Sequence, residues 1–223
     1  MLRRAWTTRA TTFVFLMLLP GAALADICVC FVCALGVHKQ YSIPSGSMSP
    51  TLSPGDCIIV RRLLGQSDQV ALGDIITFIH PTTGEDFIKR VMALPGDKIQ
   101  MRDGIVWLND TALPREKLAD HSVIYARAPA GGFPRCNDLV EIGAPCVRSQ
   151  FRETLPNGIA YNVLDIATQS IDNTPVFTVP AGHVFALGDN RDNSTDSRIK
   201  RTAGGLGFIP LGNITGILED IPK

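Results

Sequence analysis

The sequence lacks an excess of charge of either sign, because Lys+Arg and Asp+Glu both total 21 among its 223 residues. Without a basic surplus we expect no nucleic-acid partner, and nothing in the chain resembles an acidic tail with a solvating role. A P-loop, a glycine-rich dinucleotide fingerprint and a histidine pair at metal-ligand spacing are also missing. We therefore expect neither a metal ion nor an organic cofactor.

The histidines form no recognisable catalytic set. A Ser-His-Asp triad stays open, because sequence distance does not measure distance in space, but no feature favours one. We interpret each histidine as a surface or structural residue. The four are His38, His80, His121 and His183.

An apolar stretch over residues 11–37 is interrupted only by Pro20-Gly21 and Asp26, and three arginines precede it. As a helix it would extend about 40 Å, against a hydrocarbon core of about 30 Å. The arginines favour a cytoplasmic N-terminal end. We predict a cytoplasmic N-terminus (residues 1–10), one transmembrane anchor (11–37) and an extracytoplasmic domain (38–223).

The same N-terminus also fits a cleavable signal peptide, with a basic start, an apolar run over residues 13–19 and Ala23-Leu24-Ala25 before Asp26. Cleavage there would leave residues 27–37, a helix of about 16 Å that is too short to span a bilayer. Both alternatives export the rest of the chain. Its main domain is therefore expected outside the cytoplasm.

Cysteines fall into three groups with different expected environments. Cys57 enters an apolar run and is expected in the core. Cys136 and Cys146 lie in a polar stretch that faces an oxidising compartment, so we expect a disulfide between them. The remaining three lie inside the apolar segment, where we expect small membrane-buried side chains: Cys28, Cys30 and Cys33.

Beyond residue 38 the pattern is one of short β-rich runs bounded by glycine and proline, which predicts an all-β sandwich or barrel. The Asp103-Gly104 pair between two runs indicates a tight hairpin. Residues 109–173 show weak alternation and are predicted to form an inserted cap with its own small sheet. The predicted strands are residues 56–62, 75–79, 86–94, 98–102, 105–108, 175–179, 183–187 and 214–218.

Residues 41–56 read YSIPSGSMSPTLSPGD. Pro44 and Pro50 restrict the backbone on both sides of Ser45-Gly46-Ser47, so the Ser47 hydroxyl can project from a constrained bend. Two hydroxyls and successive N–H groups there could bind an oxyanion. The alternative is a plain Ser/Pro/Gly linker leaving the membrane.

Residues 86–97 read DFIKRVMALPGD. Alternation places Lys89 on the same strand face as Phe87 and Val91. Loss of solvation lowers the pKa of such a lysine and frees its amine to act as a base for a serine nucleophile. The alternative is an edge-strand lysine that serves solubility.

Residues 187–198 read LGDNRDNSTDSR, a stretch dense in turn formers and in charges that could cross-link a rigid loop. A solvated turn is the alternative. A calcium loop of alternating Asp and Asn would need a bidentate Glu at its end, which is missing, so we expect no calcium site here.

In this order, after an apolar N-terminus, the three stretches resemble those of bacterial type I signal peptidases, also called leader peptidases. The similarity runs from residue 41 to about residue 216, with residues 109–173 alike only in being variable. Departures are the polar interruptions of the apolar segment and Ala93, where glycine is usual. The shared patterns are PSGSM-x-PTL, IKRV-x-x-LPGD, GDNRDNS-x-DSR and the final GFIPLGNITG.

The resemblance implies site residues by motif position. Ser47 would be the nucleophile and Lys89 its general base, with Ser45 joining the Ser47 N–H in the oxyanion hole and Ser194 orienting the lysine by a hydrogen bond. The residues expected to support the site are Arg90, Asp196 and Arg198, and those expected to contact substrate are Ile43, Met48, Leu52, Phe87 and Ile88.

The resemblance further implies a coiled antiparallel β-domain and a membrane-bound serine endopeptidase that removes signal peptides after Ala-x-Ala-type sites. Its partners would be the signal peptides of secretory preproteins and membrane lipid. We expect a single-pass monomer in the bacterial inner membrane, with the catalytic domain on the periplasmic side. The alternatives are a specialised peptidase of conjugation or pilin maturation, and an inactive membrane-tethered β-domain that only binds exported chains.

Overall fold

The computed structural model describes residues 30, 32–63, 69–128 and 131–222. Short strands joined by tight turns dominate this part of the chain. The strands are β1 (His38–Ser42), β2 (Cys57–Arg62), β3 (Ile75–Ile79), β4 (Asp86–Ala93), β5 (Lys98–Arg102), β6 (Ile105–Leu108), β7 (Thr111–Ala112), β8 (Arg115–Lys117), β9 (His121–Ile124), β10 (Pro145–Arg148), β11 (Gln150–Thr154), β12 (Ala160–Leu164), β13 (Phe177–Thr178), β14 (His183–Leu187), β15 (Ile209–Pro210) and β16 (Ile214–Asp220).

The described helices are all short 3₁₀ turns, most of them at loops between strands. Two of them lie in the stretches that the sequence singled out for chemistry. The turns are Val32–Leu35, Gly46–Met48, Ser170–Asp172, Arg191–Asn193, Arg201–Ala203 and Leu211–Asn213.

A seven-stranded sheet forms the centre of the fold, in the order β1-β2-β16-β3-β4-β14-β15. Neighbouring strands in it are antiparallel, and β16 lies between β2 and β3, with Ile217 opposite both Arg61 and Ile76. Alternating side chains of such a sheet pack against apolar layers on its faces. The prediction of an all-β antiparallel fold is confirmed.

The predicted insertion does contain sheets of its own. Strands β12-β11-β8 form one three-stranded sheet and β10-β9 a two-stranded one, while β7 joins β6, β5 and β13 in a four-stranded sheet. The expected disulfide between Cys136 and Cys146 is formed and ties β10 to the preceding loop. The cap is therefore folded and cross-linked.

Apolar side chains pack on both faces of the central sheet. One cluster around Met92, Tyr161 and Leu187 joins it to the cap. Another cluster lies beneath the loop between β1 and β2. Burial of each Leu, Ile or Met side chain in it contributes about 1.5–3 kcal/mol to the stability of the fold. Its buried members are Ile43, Met48, Leu52, Ile58, Val60 and Ile75.

The N-terminal predictions fall mostly outside the described residues. Cys28 lies outside them, as does nearly all of the predicted anchor. Cys30 and Cys33 are joined by a disulfide, which corrects the expectation of unpaired cysteines in lipid. Cys57 is half-buried and also disulfide-bonded, not an unpaired core thiol.

Over residues 30, 32–63, 69–128 and 131–222, no helix combines the length and the apolar character that crossing a bilayer requires.

Candidate active site

Ser47 lies in the 3₁₀ turn Gly46–Met48, between β1 and β2. Two backbone hydrogen bonds close the base of this loop, from Ile43 N to Asp56 O at 2.9 Å and from Gly55 N to Ile43 O at 2.8 Å. Met48 and Leu52 are fully buried beneath it. The loop is therefore fixed by packing and is not a free linker.

Lys89 lies on β4, between β3 and β14 in the central sheet. This position contradicts the alternative of an edge-strand lysine. Only 3% of the residue is exposed, and its Nζ donates to Ser47 Oγ at 3.0 Å and to Ile88 O at 2.8 Å. The sheet thus brings together two residues that are 42 positions apart in the chain.

Burial lowers the pKa of Lys89 to about 8, although the carboxylates of Asp196 and Asp189 oppose the shift. A desolvated ammonium releases its proton more readily than one in water. In the neutral form, the amine can accept the Ser47 hydroxyl proton across the 3.0 Å contact. This pair has the reach and the pKa that nucleophile activation needs.

Ser45 provides a second hydroxyl beside the first. Its Oγ lies 3.3 Å from Ser47 Oγ, and Asn190 fixes the backbone beneath both. Asn190 N donates to Ser47 O at 3.1 Å, and its Nδ2 donates to Gly46 O at 2.9 Å. These bonds orient the turn from below.

Buried ion pairs hold the third stretch, and one of them was expected. Asp196 and Arg198 form a pair at 2.9 Å with both side chains fully buried. Burial alone would raise the pKa of Asp196, but the charge and hydrogen bonds of Arg198 hold it below its ordinary value. The loop is thus cross-linked, as the density of charge predicted.

Arg90 does not join that pair. Its Nε and Nη2 bind the two carboxylate oxygens of Asp189, each at 2.8 Å. Thr51 Oγ1 also donates to Asp189, so this carboxylate links the Lys89 strand to the Ser47 loop.

A third ion pair reaches into the cap. Arg191 binds Glu153 on β11 through two hydrogen bonds of 3.0 and 2.6 Å, with both side chains almost fully buried. Tyr161 Oη also donates to Glu153, at 3.0 Å. The cap therefore supports the active-site loop directly.

Ser194 departs from its expected role. Its Oγ is buried and, among the described residues, has no hydrogen-bond partner, so the expected bond to Lys89 is not formed. Ser194 instead packs against Gly188, where an added Cβ would lie 2.3 Å from Ser194 Oγ and 2.5 Å from Ser47 O. Position 188 must therefore be glycine for Ser47 to keep its place.

A cavity of about 710 Å³ opens at the Ser47–Lys89 pair. Ile43, Phe87 and Ile88 line it, whereas Met48 and Leu52 lie in the core and not in its wall. Contact of all five with substrate stays a prediction, and the structure places Met48 and Leu52 as supports of the loop.

Several residues of the site had no catalytic or binding role assigned from the sequence. His80 lines the cavity, and its Nδ1 accepts the N–H groups of Thr82 and Thr83, each at 3.1 Å, which fits the expected structural role. Asp189 and Asn190 lie within the third stretch, residues 187–198, so that motif could have identified them as site residues. No motif in the sequence pointed to Glu153 as a residue that supports the site.

Comparisons with known proteins identify the family of this chain. A family model described as signal peptidase, peptidase S26, matches residues 14–220. The signal peptidase I of Rickettsia typhi is 31% identical over 218 residues, covering 85% of this chain and 74% of its own. That of Rickettsia prowazekii is 31% identical over 221 residues, covering 86% and 75%.

A crystal structure of a signal peptidase I from Enterococcus faecalis V583 aligns with 68% of this chain and 98% of its own, at 21% identity and a TM-score of 0.38. The family model and the sequence relatives cover most of the chain. The chain therefore belongs to the bacterial type I signal peptidases of family S26 and is a serine peptidase.

Proposed function

We propose that this enzyme removes N-terminal signal peptides from exported preproteins after Ala-x-Ala-type sites, with Ser47 as nucleophile and Lys89 as general base. The observation that carries the proposal is the buried 3.0 Å contact between Lys89 Nζ and Ser47 Oγ at the end of an apolar-walled cavity. The relatives that cover most of this chain are named signal peptidase I.

The substrate would bind as an extended strand beside β4. β14 pairs with β4 only over Arg90–Ala93, so it does not cover the half of β4 that runs from Asp86 to Lys89. A peptide added there gains main-chain hydrogen bonds in the manner of β-augmentation. The apolar walls around Ile43 and Ile88 would accept the small side chains one and three residues before the cut.

The reaction then follows from the positions of the two hydroxyls and the amine. Neutral Lys89 takes the Ser47 proton as Ser47 Oγ attacks the scissile carbonyl. The Ser45 hydroxyl and the Ser47 N–H stabilise the oxyanion, each donor being worth about 10²–10³ in rate. Lys89 then protonates the leaving amine, and water hydrolyses the acyl-enzyme.

The same proposal places the catalytic domain on the periplasmic side of the bacterial inner membrane, as a monomer held by a single N-terminal anchor. Two disulfides within the described chain, Cys30–Cys33 and Cys136–Cys146, support an oxidising compartment. The apolar residues before position 30 would supply contact with membrane lipid.

Cleavage of a panel of secretory preproteins tests the proposed activity. With the full chain in detergent, we expect a cut directly after the final alanine of Ala-x-Ala, read by mass spectrometry of the new N-terminus. Replacing the alanine at the cut by leucine should lower cleavage by at least about 10²-fold, since a bulky side chain overfills a small pocket.

Two results would contradict the general role. Cleavage confined to a pilin-type precursor would favour the specialised conjugation peptidase. Binding of preproteins with no cleavage at any pH would favour the inactive binding module.

The pH profile tests the base. Because Lys89 must be neutral to act and its pKa is about 8, kcat/KM should fall about tenfold for each pH unit well below pH 8. The profile is measured on a soluble peptide substrate, with circular dichroism to show that the fold persists. A flat profile down to pH 5, or an inflection near about 6.5, the ordinary pKa of histidine, would rule out Lys89 as the base.

A further inference from the structure

A second cavity, of about 330 Å³, is lined by acidic, polar and apolar residues of the cap and its neighbouring loops, Asp165 and Asp172 among them. Asp165 follows β12, Asp172 ends the turn Ser170–Asp172, and Asp192 lies in the turn Arg191–Asn193. One carboxylate oxygen from each lies within 4.8 Å of the others. Three separate segments thus converge on one point.

These carboxylates are not surface groups. Asp172 and Asp192 are 5% and 4% exposed, and the Asp165 side chain is 17% exposed. Like charges brought together with so little water repel one another strongly unless a cation or a proton intervenes.

The cations near the cluster neutralise only one of its three carboxylates. Arg115 pairs with Asp165. Arg135 donates to the backbone carbonyl of Asp192 and not to its carboxylate. Two of the three carboxylates therefore have no ion-pair partner among the described residues.

An orphaned oxygen points to a missing ligand. Asp192 Oδ2 accepts the N–H groups of Ile166 and Ala167 at 2.5 and 2.8 Å, whereas Asp192 Oδ1 is buried and has no partner in the described chain. Burial, together with Asp165 and Asp172, raises the pKa of Asp192. A buried carboxylate oxygen without a protein donor normally meets a water, a cation or a proton, and the neighbouring carboxylates favour a cation here.

We propose that Asp165, Asp172 and Asp192 bind one divalent cation of the calcium class. The donors are all oxygens, which suits a hard cation. Oxygens that share one calcium ion at about 2.3–2.6 Å are at most about 5 Å apart, and the three carboxylate oxygens of this cluster lie within 4.8 Å of one another. The adjoining cavity has room for the waters that would complete the coordination.

The site lies where it can affect catalysis without touching substrate. Asp192 is between Asn190, which holds the backbone of Ser47, and Ser194, which packs against Gly188. A bound cation ties this loop to the cap at a second point, beside the Arg191–Glu153 pair. We therefore assign the ion a positioning role and no chemical one.

Direct ion binding tests the site independently of proteolysis. In equilibrium dialysis of the full chain in detergent with radioactive calcium, we expect one ion per chain with a Kd of about 10⁻⁴ M. Asp172→Asn should weaken binding at least tenfold. Asp74→Asn is the matched control. The Asp74 carboxylate accepts the N–H of the residue three positions earlier at 2.8 Å, as the Asp172 carboxylate does at 2.6 Å. Asp74 lies outside the cluster.

Each outcome bears on the proposal. Loss of binding in Asp172→Asn and its retention in Asp74→Asn support the site, and Asp165→Asn gives the same test if Asp172→Asn does not fold. No saturable binding to the unmodified chain would overturn the proposal. Calcium binding that survives both cluster substitutions would overturn it as well, since the ion would then lie elsewhere.

Discussion

Ser47→Ala and Lys89→Met should each lower kcat/KM for preprotein cleavage by about 10⁴-fold or more. Ser47→Ala removes the nucleophile, and Lys89→Met removes the amine that lies 3.0 Å from it while keeping a side chain of similar length. Members of a nucleophile–base pair act as a unit, so the double variant should be scarcely worse than either single one. Single-turnover kinetics on one preprotein would measure all three.

The controls are a serine and a lysine without that contact. Ser53 is exposed in the same loop and Lys98 is exposed on β5, so Ser53→Ala and Lys98→Met should cleave as the unmodified enzyme does. Substantial cleavage by Ser47→Ala would place the nucleophile elsewhere. Additive losses in the double variant would mean that the two side chains act independently.

Glu153→Ala should destabilise the fold by about 3–5 kcal/mol, because it leaves the guanidinium of Arg191 buried without its partner. Each kcal/mol lowers Tm by about 2–4 °C in a chain of this size, so a fall of about 10 °C is expected. Activity should fall as well, since Arg191 belongs to the loop that holds the Ser47 backbone. Thermal melting followed by circular dichroism measures the first effect.

A surface pair and a double substitution complete this test. Lys117 and Asp120 form an exposed ion pair, so Lys117→Ala should cost less than about 1 kcal/mol. Replacing both buried partners by apolar residues, Glu153→Leu with Arg191→Met, should recover much of the loss, since no charge then stays unpaired. If Glu153→Ala melts no lower than Lys117→Ala, the buried pair contributes little.

Strands could be predicted where alternation and turn residues occur together. Residues 75–79, 98–102, 105–108 and 183–187 coincide with β3, β5, β6 and β14, because pleat and turn chemistry are local properties of the chain. β1 was not predicted. Its polar sequence, HKQYS, carries little alternation, and its pairing with β2, Tyr41 opposite Ile58, comes from a contact across the fold.

The contacts of the site also divide into those that local sequence predicts and those that depend on contacts across the fold. Asp196–Arg198, two residues apart, could be predicted from the motif, whereas Arg90–Asp189 and Arg191–Glu153 join residues 99 and 38 positions apart and follow only from the topology. The convergence of Asp165, Asp172 and Asp192 is likewise non-local. The sequence argued against calcium only through the lack of a terminal Glu in residues 187–198. This argument applies to a calcium-binding loop formed by one segment, and not to a site whose ligands come from three segments.

The position of β16 has a consequence for how the active site is assembled during folding. The Ser47 loop belongs to the β1-β2 half of the central sheet and Lys89 to the β3-β4 half, and β16 is the strand that pairs with both halves. β16 is also the last strand of the described chain. Without β16, nucleophile and base would still be linked through the contacts of Asp189 and Asn190 in the active-site loop, but not through a shared strand of the described sheet. Completion of the central sheet by β16 is therefore part of assembling the Ser47–Lys89 pair.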